Sequence, residues 1–364
     1  MNKKLAFAII ALAVAVHFLI VDYYNRSLDT VVANIKPAIN VNQEIKNMLD
    51  DNEKLNQAPV EKSVAFLFFG DMMLDRNVGN QLQKHSLDYL LNNIKPILWG
   101  RDIVSANLEG AVTGLGQHYT PQLENDFAFA TSTVAGLKNY NFNFFNIANN
   151  HLTDQGNKGL EETRKNLADL GFDFSGCPDA QVGECSAKTV EFHGVKIAMV
   201  GLSMVYHKFD LEQAKQIISE QKMNNDLVLV NIHWGVEYDH KYNTTQSITA
   251  HALVDAGADA VIGHHPHVVQ GLEIYNNKPI FYSLGNFIFD QYFSTDTQIG
   301  PAVGLNIDLV KQTKNIYLYP MQGKNSAVSL RADGDREIYL QNMTKWSNLD
   351  STYQNMLLSG KIDL

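Results

Sequence analysis

Hydrophobic residues along the chain form short runs that alternate with segments in which apolar residues recur at helical spacing. The first run, residues 63–69, predicts a buried strand that ends at Gly70-Asp71. Helices are expected over residues 82–94, before Pro96, and over 159–170 and 247–256, each of the last two being followed by a glycine. Further strand-like runs are residues 103–106, 142–148, 195–200, 227–232, 260–262 and 280–283, with strands and hairpins expected after Gly304, including 305–310 and 316–319. This alternation predicts an α/β fold.

The first 24 residues predict a membrane anchor. Lys3 and Lys4 precede the uncharged run 5–21, which at about 1.5 Å per residue extends about 25 Å. Tyr23 and Tyr24 follow it, where interfacial aromatic residues are common. Because no small-residue cleavage site follows the run, we interpret residues 1–24 as an uncleaved, single-pass signal anchor in the cytoplasmic (inner) membrane. The rest of the chain would then lie on the extracytoplasmic (periplasmic) side, and a cleaved secretory signal would lead to the same compartment.

The remaining chain divides into three parts. Residues 25–62 contain no glycine and too few apolar residues for a core of their own, which is typical of a stalk or linker; a partner-binding helix is the alternative. Residues 63–345 predict the globular domain, and residues 346–364 a C-terminal tail.

Charge and cysteine content exclude several classes of protein. The 364 residues include 29 Lys and Arg against 39 Asp and Glu, a formal net charge of −10, whereas general nucleic-acid binders carry a basic excess. Two cysteines cannot form a four-thiolate zinc site. Cys177 and Cys185 lie eight positions apart in a loop-like stretch, so in an oxidising compartment they are either a local disulfide or two independent thiols.

Polar residues follow six of the strand-like runs. In open α/β sheets ligands bind at that edge, beyond the carboxyl ends of the strands. The six groups are Gly70-Asp71, Asn107-Leu108-Glu109-Gly110, Asn149-Asn150-His151 with Asp154, His233-Trp234-Gly235 with Glu237, Gly263-His264-His265-Pro266-His267, and Gly285-Asn286.

Together these side chains predict a metal site of mixed oxygen and nitrogen ligands. Such a set suits Mn, Fe or Zn better than Ca, which takes oxygen ligands only. It is large enough for two divalent ions, about 4 Å apart, bridged by one carboxylate. Taken singly, an Asp after a Gly is often a helix cap, and a His-Trp pair often packs in a core. Three histidines within four residues are hard to explain as packing, because each buried imidazole needs a hydrogen-bond partner or a metal. The other histidines are interpreted as surface or core residues: His17, His85, His118, His193, His207, His240 and His251.

Six motifs in this order resemble the CapA family of poly-γ-glutamate capsule biosynthesis proteins, also called PgsA. They are GDMMLDR (70–76), NLE (107–109), ANNHLTDQG (148–156), HWGVEY (233–238), GHHPH (263–267) and YSLGNFIFD (282–290). The resemblance extends over residues 64–310. It implies a fold similar to the calcineurin-like metallophosphoesterases, an αββα sandwich in which two facing β-sheets are flanked by helices.

The resemblance also implies roles for individual residues. His151 would donate a proton to a leaving group, with Asp154 orienting it, and Arg76, Glu237 and Asn286 would face the substrate. The implied metal ligands are Asp71, Glu109, Asn150, His233, His265 and His267. Two positions depart from the phosphoesterase pattern: Met73 stands where a histidine is usual, and Glu109 stands where a bridging aspartate is usual.

For function, the resemblance implies a membrane-anchored subunit that works with a cytoplasmic ATP-dependent amide ligase and a small membrane subunit to make and export a γ-linked glutamate polymer. The chain has no Gly-x-x-x-x-Gly-Lys-Ser/Thr loop, so ATP chemistry is expected elsewhere. Three functions stay open: an accessory protein that binds or processes the anionic polymer, an extracytoplasmic phosphoesterase with a phosphate-containing substrate, and a non-catalytic scaffold. The negative net charge of the chain disfavours binding of an anionic polymer, unless bound cations or Arg76 offset the repulsion.

Overall fold

The structure, a computed structural model, describes residues 62–119, 121, 123 and 125–364. The predicted anchor, residues 1–24, and residues 25–61 of the predicted stalk lie outside the described residues. Among the described residues, no helix combines the length and the apolar character that crossing a bilayer requires.

Most of the described chain is organised by β-strands. In chain order they are β1 (Ser63–Met72), β2 (Ile103–Leu108), β3 (Ala111–Thr113), β4 (Ala128–Ala130), β5 (Phe144–Asn146), β6 (Asp173–Ser175), β7 (Ala187–Phe192), β8 (Val195–Ser203), β9 (Leu227–His233), β10 (Ala260–His264), β11 (Val269–Tyr275), β12 (Lys278–Leu284), β13 (Asn286–Ile288), β14 (Ile299–Asp308), β15 (Thr313–Lys324), β16 (Ala327–Leu330) and β17 (Lys361–Asp363).

Helices connect many of these strands. They are α1 (Arg76–Lys84), α2 (Leu87–Leu91), α3 (Lys95–Leu98), α4 (Thr131–Gly136), α5 (Gly156–Asp169), α6 (Leu211–Asn224), α7 (Thr244–Asp255), α8 (Asp333–Trp346) and α9 (Ser351–Ser359), with short 3₁₀ turns at Asn92–Ile94, Leu137–Tyr140, Glu184–Ser186 and Asp296–Gln298.

The strands form two large sheets and one small one. The first sheet has the order β16-β15-β14-β1-β2-β5-β6, with β13 added beside β1 and β17 beside β15. The second has the order β11-β12-β10-β9-β8-β7, and β3 pairs with β4 separately. In both large sheets the central strands are parallel: β1 with β2 and β5, and β8 with β9, β10 and β12. Their carboxyl ends therefore lie at one edge of each sheet.

The two large sheets pack face to face with helices outside. Along β1, Phe66 and Phe68 contact a core shared with Ile197 and Leu229 of the second sheet. The alternate residue Leu67 joins a core on the helical side. Because successive side chains of a strand point to opposite faces, a strand covered on both faces is hydrophobic throughout, and this explains the continuous apolar run in the sequence. The prediction of an α/β fold is confirmed.

The other face of the second sheet is covered in the same way. Val228 and Val230 of β9 pack with Ile218 of α6 and Leu253 of α7 in a separate core. The resulting order of layers is helices, sheet, sheet, helices.

Two regions differ in detail from the sequence expectations, and a third decides between two alternatives. The segment 82–94 is not one helix, because α1 ends before His85-Ser86 and α2 begins at Leu87. Residues 346–364 do not form a separate tail: β17 pairs with β15, and Leu357 and Ile362 are buried in the core between the sheets. Cys177 and Cys185 form a disulfide, the first of the two alternatives drawn from their spacing.

Candidate metal centre

The polar motifs converge at the edge where the parallel strands end. Asp71 of β1 is in register with Asn107 of β2 on one side and with Asn286 of β13 on the other. In the second sheet, His233 of β9 is in register with His264 of β10. Parallel pairing in register thus brings residues that are far apart in sequence to one edge of the sheets.

Glycines allow the two sheets to approach each other closely at this edge. A Cβ on Gly70 would lie 1.9 Å from the carbonyl oxygen of Gly285, so a side chain there would displace the backbone. This contact is held by a hydrogen bond from the Asp71 N–H to the same carbonyl, 3.0 Å long. The glycines before Asp71 and Asn286 therefore permit the approach that brings the motif residues together.

Asp71, Glu109 and His233 form a first donor group. One ligand atom from each lies within 4.8 Å of the others, and all three side chains are buried. Burial raises the pKa of Glu109 well above its ordinary value, and the Asp71 charge adds to the rise. Burial lowers the pKa of His233 well below its ordinary value. The group therefore holds a neutral imidazole beside two carboxyl groups, which is the donor chemistry of a divalent transition metal.

Asp71 carries the charge of this group. Burial alone would raise the pKa of Asp71, but its interaction with His267 and a hydrogen bond from Asn107 bring it below the ordinary value. Its Oδ1 accepts the Asn107 amide at 2.8 Å, and its Oδ2 accepts the backbone N–H of His265 at 3.2 Å. Asp71 is thus ionised and oriented by donors from both sheets.

Glu237, His265 and His267 form a second donor group, again with one ligand atom from each within 4.8 Å of the others. Both histidines are buried and have positive φ angles, 96° and 57°. Such angles are uncommon for residues with a side chain and cluster at functional sites. Burial lowers the pKa of His265 to about 4. For His267 the carboxyl groups of Glu109 and Asp71 outweigh burial and raise the pKa to about 9.

Several buried polar atoms of the centre have no hydrogen-bond partner among the described residues. They are Oε1 of Glu109, Nδ1 of His264 and Nδ1 of His265. Buried polar groups in folded proteins are almost always satisfied, so unpaired atoms of this kind indicate a ligand that the polypeptide does not supply. Carboxylate and imidazole donors in two groups fit divalent Mn, Fe or Zn.

Asn150, a predicted ligand, contacts the first donor group through His233. Its Oδ1 lies 2.7 Å from Nε2 of His233, and its amide nitrogen donates to the Tyr206 hydroxyl at 3.3 Å. The structure therefore brings all six predicted ligands to one edge, and it adds Glu237, which the resemblance assigned to the substrate.

His151 and Asp154 form a pair at the mouth of the centre. Nδ1 of His151 lies 2.7 Å from Oδ2 of Asp154, and its Nε2 lies 3.7 Å from Oε1 of Glu109. The imidazole also packs on Phe127, with the ring centroids 4.2 Å apart. Burial raises the pKa of Asp154 although it contacts His151. This arrangement fixes the ring and directs its second nitrogen toward the donor groups.

Arg76 and Asn286, the other residues expected to face the substrate, are engaged within the protein. Arg76 pairs with Asp290, and its guanidinium carbon lies 4.9 Å from the centroid of the Phe127 ring. Asn286 Oδ1 lies 2.9 Å from Nδ1 of His267. In this structure Asn286 therefore orients a metal-type ligand.

A network of buried asparagines supports the centre, and none of its members was assigned a role from the sequence. The amide nitrogen of Asn107 contacts Asp71, Glu109 and His233. Its Oδ1 accepts hydrogen bonds from Asn146 and Asn149, at 2.9 and 3.2 Å. Asn107 and Asn149 lie inside two of the sequence motifs, which is the one feature of the sequence that could have drawn attention to them. The sequence does not show which side chains their amides contact.

Met73, at the position where phosphoesterases carry a histidine, has a structural contact. Its side chain is fully buried, and its sulfur accepts the backbone N–H of Asp75 at 3.0 Å. This position therefore supplies no imidazole, and the second donor group contains Glu237 together with His265 and His267.

Comparison with known proteins identifies the family. Residues 65–291, more than half of the chain, match the family model of the bacterial capsule synthesis protein PGA_cap. The chain belongs to this family. The resemblance drawn from the six motifs is thereby confirmed.

Two relatives and one solved structure illustrate the range of similarity. The capsule biosynthesis protein CapA of Bacillus anthracis is 33% identical over 260 residues, which cover 66% of this chain and 61% of the relative. The PGA biosynthesis protein CapA of Bacillus subtilis (strain 168) is 36% identical over 239 residues, which cover 62% of this chain and 63% of the relative. The match thus spans less than two thirds of both relatives. A hypothetical protein from Thermus thermophilus is 15% identical with a TM-score of 0.44, covering 74% of this chain and 98% of that one.

Proposed function

We propose that this protein is a membrane-anchored, extracytoplasmic component of poly-γ-glutamate capsule synthesis and export, and that its metal-type cleft binds or processes the polymer. Residues 1–24 would anchor it as a single pass in the cytoplasmic membrane, and residues 25–62 would separate the domain from the bilayer. Its proposed partners are a cytoplasmic ATP-dependent amide ligase and a small membrane subunit. The layered domain would then be a metallophosphoesterase-like αββα sandwich adapted to a capsule polymer.

One observation carries the proposal: a chain of the capsule synthesis family has two groups of carboxylate and imidazole donors at a single sheet edge, each within 4.8 Å, and all of these donors except the exposed Glu237 are buried. A divalent metal held there would supply Lewis-acid stabilisation to a carbonyl or phosphoryl oxygen. It would also offset the repulsion between an anionic polymer and a chain with a net charge of −10.

The chain's own residues would perform the remaining tasks. Asp71 and Glu109 would hold a positive charge at the bottom of the cleft, and Asn107 would keep both carboxyl groups in place. His151, oriented by Asp154, would give or take a proton at Nε2, the nitrogen that lies toward Glu109.

Metal content of the full-length chain tests the centre. We would purify it in detergent without chelator and compare it with the double variant His265→Ala/His267→Ala. A matched control is His85→Ala/His193→Ala, which removes two exposed histidines. We expect near-stoichiometric metal in the wild type and the control, and little in the first variant. Absence of metal from the wild type after addition of Mn and Zn would refute the cleft proposal and favour a scaffold.

Capsule measurements test the biological part of the proposal. Cells that lack the protein are expected to lose surface poly-γ-glutamate, and a normal capsule would contradict this. If the His265→Ala/His267→Ala variant restores the capsule fully, the metal-type cleft is not used and the protein serves as a non-catalytic scaffold.

A second candidate function is a metal-dependent phosphoesterase that acts on an extracytoplasmic phosphate ester or a lipid-linked phosphate. The observation that favours it is the His151–Asp154 pair, whose free imidazole nitrogen lies 3.7 Å from Glu109 at the donor groups. A proton donor held in this position would assist the departure of a leaving group. Metal-dependent turnover of an aryl phosphate therefore distinguishes this function from polymer binding.

A further inference from the structure

Beside the second donor group lies a groove that we call the Trp346 groove. Its volume is about 610 Å³, and its lining includes Tyr238, Asp239, His240, Lys241, Lys345 and Trp346. This volume is within the range of sites that bind small molecules or segments of a larger ligand. None of these residues is used by the candidate metal centre.

The groove is continuous with the metal centre through Tyr238. This residue follows Glu237 directly, and its backbone N–H donates to the carbonyl of Pro266, between His265 and His267, at 2.8 Å. The Tyr238 ring lies 6.2 Å from the ring of His267, and almost half of the residue is exposed. A ligand that reaches the donor groups can therefore extend across Tyr238 into the groove.

The aromatic side of the groove is held rigidly. The His240 ring stacks on Trp346, with centroids 4.3 Å apart and planes 9° apart, and its Nδ1 lies 2.8 Å from the Val269 carbonyl. Gly271 of β11 makes room for the Trp346 backbone, because a Cβ there would lie 2.0 Å from the Trp346 oxygen. Such a surface is formed before a ligand arrives, so little conformational entropy is lost on binding.

Two exposed lysines give the groove a positive side. Among the described residues, the Lys241 ammonium has no ion-pair partner, and the Lys345 ammonium contacts only Asn342 of its own helix, at 3.5 Å. The Asp239 carboxylate next to them accepts the backbone N–H of Lys241 at 2.9 Å. A second carboxylate, that of Asp296, lies 3.5 Å from Nε2 of His240. The two lysine ammonium groups are therefore the charges at the groove that a ligand carboxylate can pair with, because neither has an ion-pair partner among the described residues.

We propose that the Trp346 groove binds the part of a γ-linked glutamate chain that extends from the metal centre. Lys241 and Lys345 pair with the free carboxylates of the chain, and the stacked rings of His240 and Trp346 contact its methylene groups. Charge complementarity selects a polycarboxylate over a neutral polymer. This inference rests on the proposed function, since it assigns a subsite to the polymer that the cleft is proposed to bind.

Length-dependent binding tests the inference. We would measure the affinity of the full-length chain, loaded with Mn, for γ-linked glutamate oligomers of two and of ten residues by calorimetry. The groove variant is Lys241→Glu/Lys345→Glu, and the control Lys84→Glu/Lys196→Glu makes the same change in net charge at exposed lysines outside the groove. All proteins should keep the same thermal midpoint and metal content.

We expect the wild type and the control to bind the longer oligomer more tightly than the shorter one, by about tenfold for two favourable charge pairs. The groove variant should bind both oligomers alike, with unchanged affinity for the shorter one. Equal affinities for both lengths in the wild type would overturn the groove and leave the cleft proposal standing. If neither oligomer binds, the proposed function itself fails, and the groove fails with it.

Discussion

The side-chain amide of Asn107 donates a hydrogen bond to Oδ1 of Asp71 across 2.8 Å, and both side chains are fully buried. The same nitrogen lies 3.2 Å from Nδ1 of His233 and 3.4 Å from Oε2 of Glu109. Because Asn107 is paired with β1 in the sheet, it ties the whole first donor group to the backbone of the fold. A residue that is not itself a metal-type ligand thus determines where three of them stand.

Replacing Asn107 by alanine should destabilise the protein. The change removes one buried hydrogen bond from each of Asp71, Asn146 and Asn149, so we expect the free energy of unfolding to fall by about 2–4 kcal/mol. Urea denaturation with chelator present excludes any contribution from bound metal. Asn224→Ala, at the exposed end of α6, is the control and should change stability by under about 0.5 kcal/mol. A similarly small effect of Asn107→Ala would show that the network is not stabilising.

The two donor groups predict separable effects on metal content. Glu237 belongs only to the second group, and it is exposed, so Glu237→Gln should lower the amount of bound metal without unfolding the protein. If two ions bind, elemental analysis should show close to half of the wild-type amount. Glu212→Gln, on the exposed surface of α6, should retain the wild-type amount. An unchanged metal content in Glu237→Gln would exclude Glu237 as a ligand.

Much of the architecture was predictable, because the burial of a strand is reflected directly in its own sequence of apolar and polar residues. In β1 the run of apolar residues reflects burial on both faces, and it led directly to Asp71 at the strand end. The sheet edge that carries the metal-type ligands is the edge where the parallel strands end. Parallel strands were already indicated by the alternation of strands and helices in the sequence. The break between α1 and α2 at His85-Ser86 was missed, because the leucines Leu82 and Leu87 lie on either side of it and no glycine or proline marks it.

The roles of individual side chains were less predictable, because they depend on partners that are distant in sequence. Arg76 is held by Asp290, 214 positions away, and Asn286 orients His267. Glu237 reaches the second donor group from the loop after β9, in which Gly235 and Tyr238 on either side of it have positive φ angles. No local sequence pattern shows which of these distant side chains contact each other, because the contacts form only when the two sheets pack together.

The Cys177–Cys185 disulfide should contribute to stability. It closes a loop with a sequence separation of 8, for which loop-closure entropy predicts about 2–3 kcal/mol. We expect Cys177→Ser/Cys185→Ser to lose this amount in chemical denaturation, and the wild type to lose the same amount on reduction. Alkylation of the chain purified from its own cells should find no free thiol, as an oxidising compartment requires. Two alkylated thiols would contradict the proposed extracytoplasmic location.

The His151–Asp154 pair predicts kinetic effects if the cleft hydrolyses phosphate esters. His151→Ala should reduce metal-dependent turnover of an aryl phosphate by about 10²–10⁴-fold, the usual contribution of a positioned general acid. Asp154→Asn should reduce it less, because the imidazole stays and loses only its orienting carboxylate. His251→Ala removes a histidine that stacks on Tyr275 and should have no effect. Full turnover in His151→Ala, or none in the wild type with Mn, Fe, Zn or Mg, would exclude this function.

Asp259 gives the fold a predictable dependence on pH. This buried carboxylate contacts Lys222 at 2.7 Å, pairs with Lys278, and accepts the backbone N–H of Val228 at 3.0 Å. Burial alone would raise the pKa of Asp259, but the two lysines bring it below the ordinary value. A carboxyl group whose pKa is lower in the folded state stabilises the protein at pH values above the unfolded pKa, about 3.9. That contribution is lost as the pH falls through the lower pKa of the folded state.

The variant Asp259→Asn isolates this contribution. Lys222 and Lys278 are partly exposed, with 37% and 27% of their side chains accessible, so solvent screening reduces the cost below that of a fully buried pair. We expect a loss of about 1–3 kcal/mol in the free energy of unfolding at pH 7, which shrinks as the pH is lowered toward 3. Asp169→Asn removes a carboxylate from an exposed pair on α5 and should change stability little at any pH. A loss that is the same at pH 7 and pH 3 would mean that Asp259 acts through packing, since an ionic contribution must decline once the pH is below the unfolded pKa.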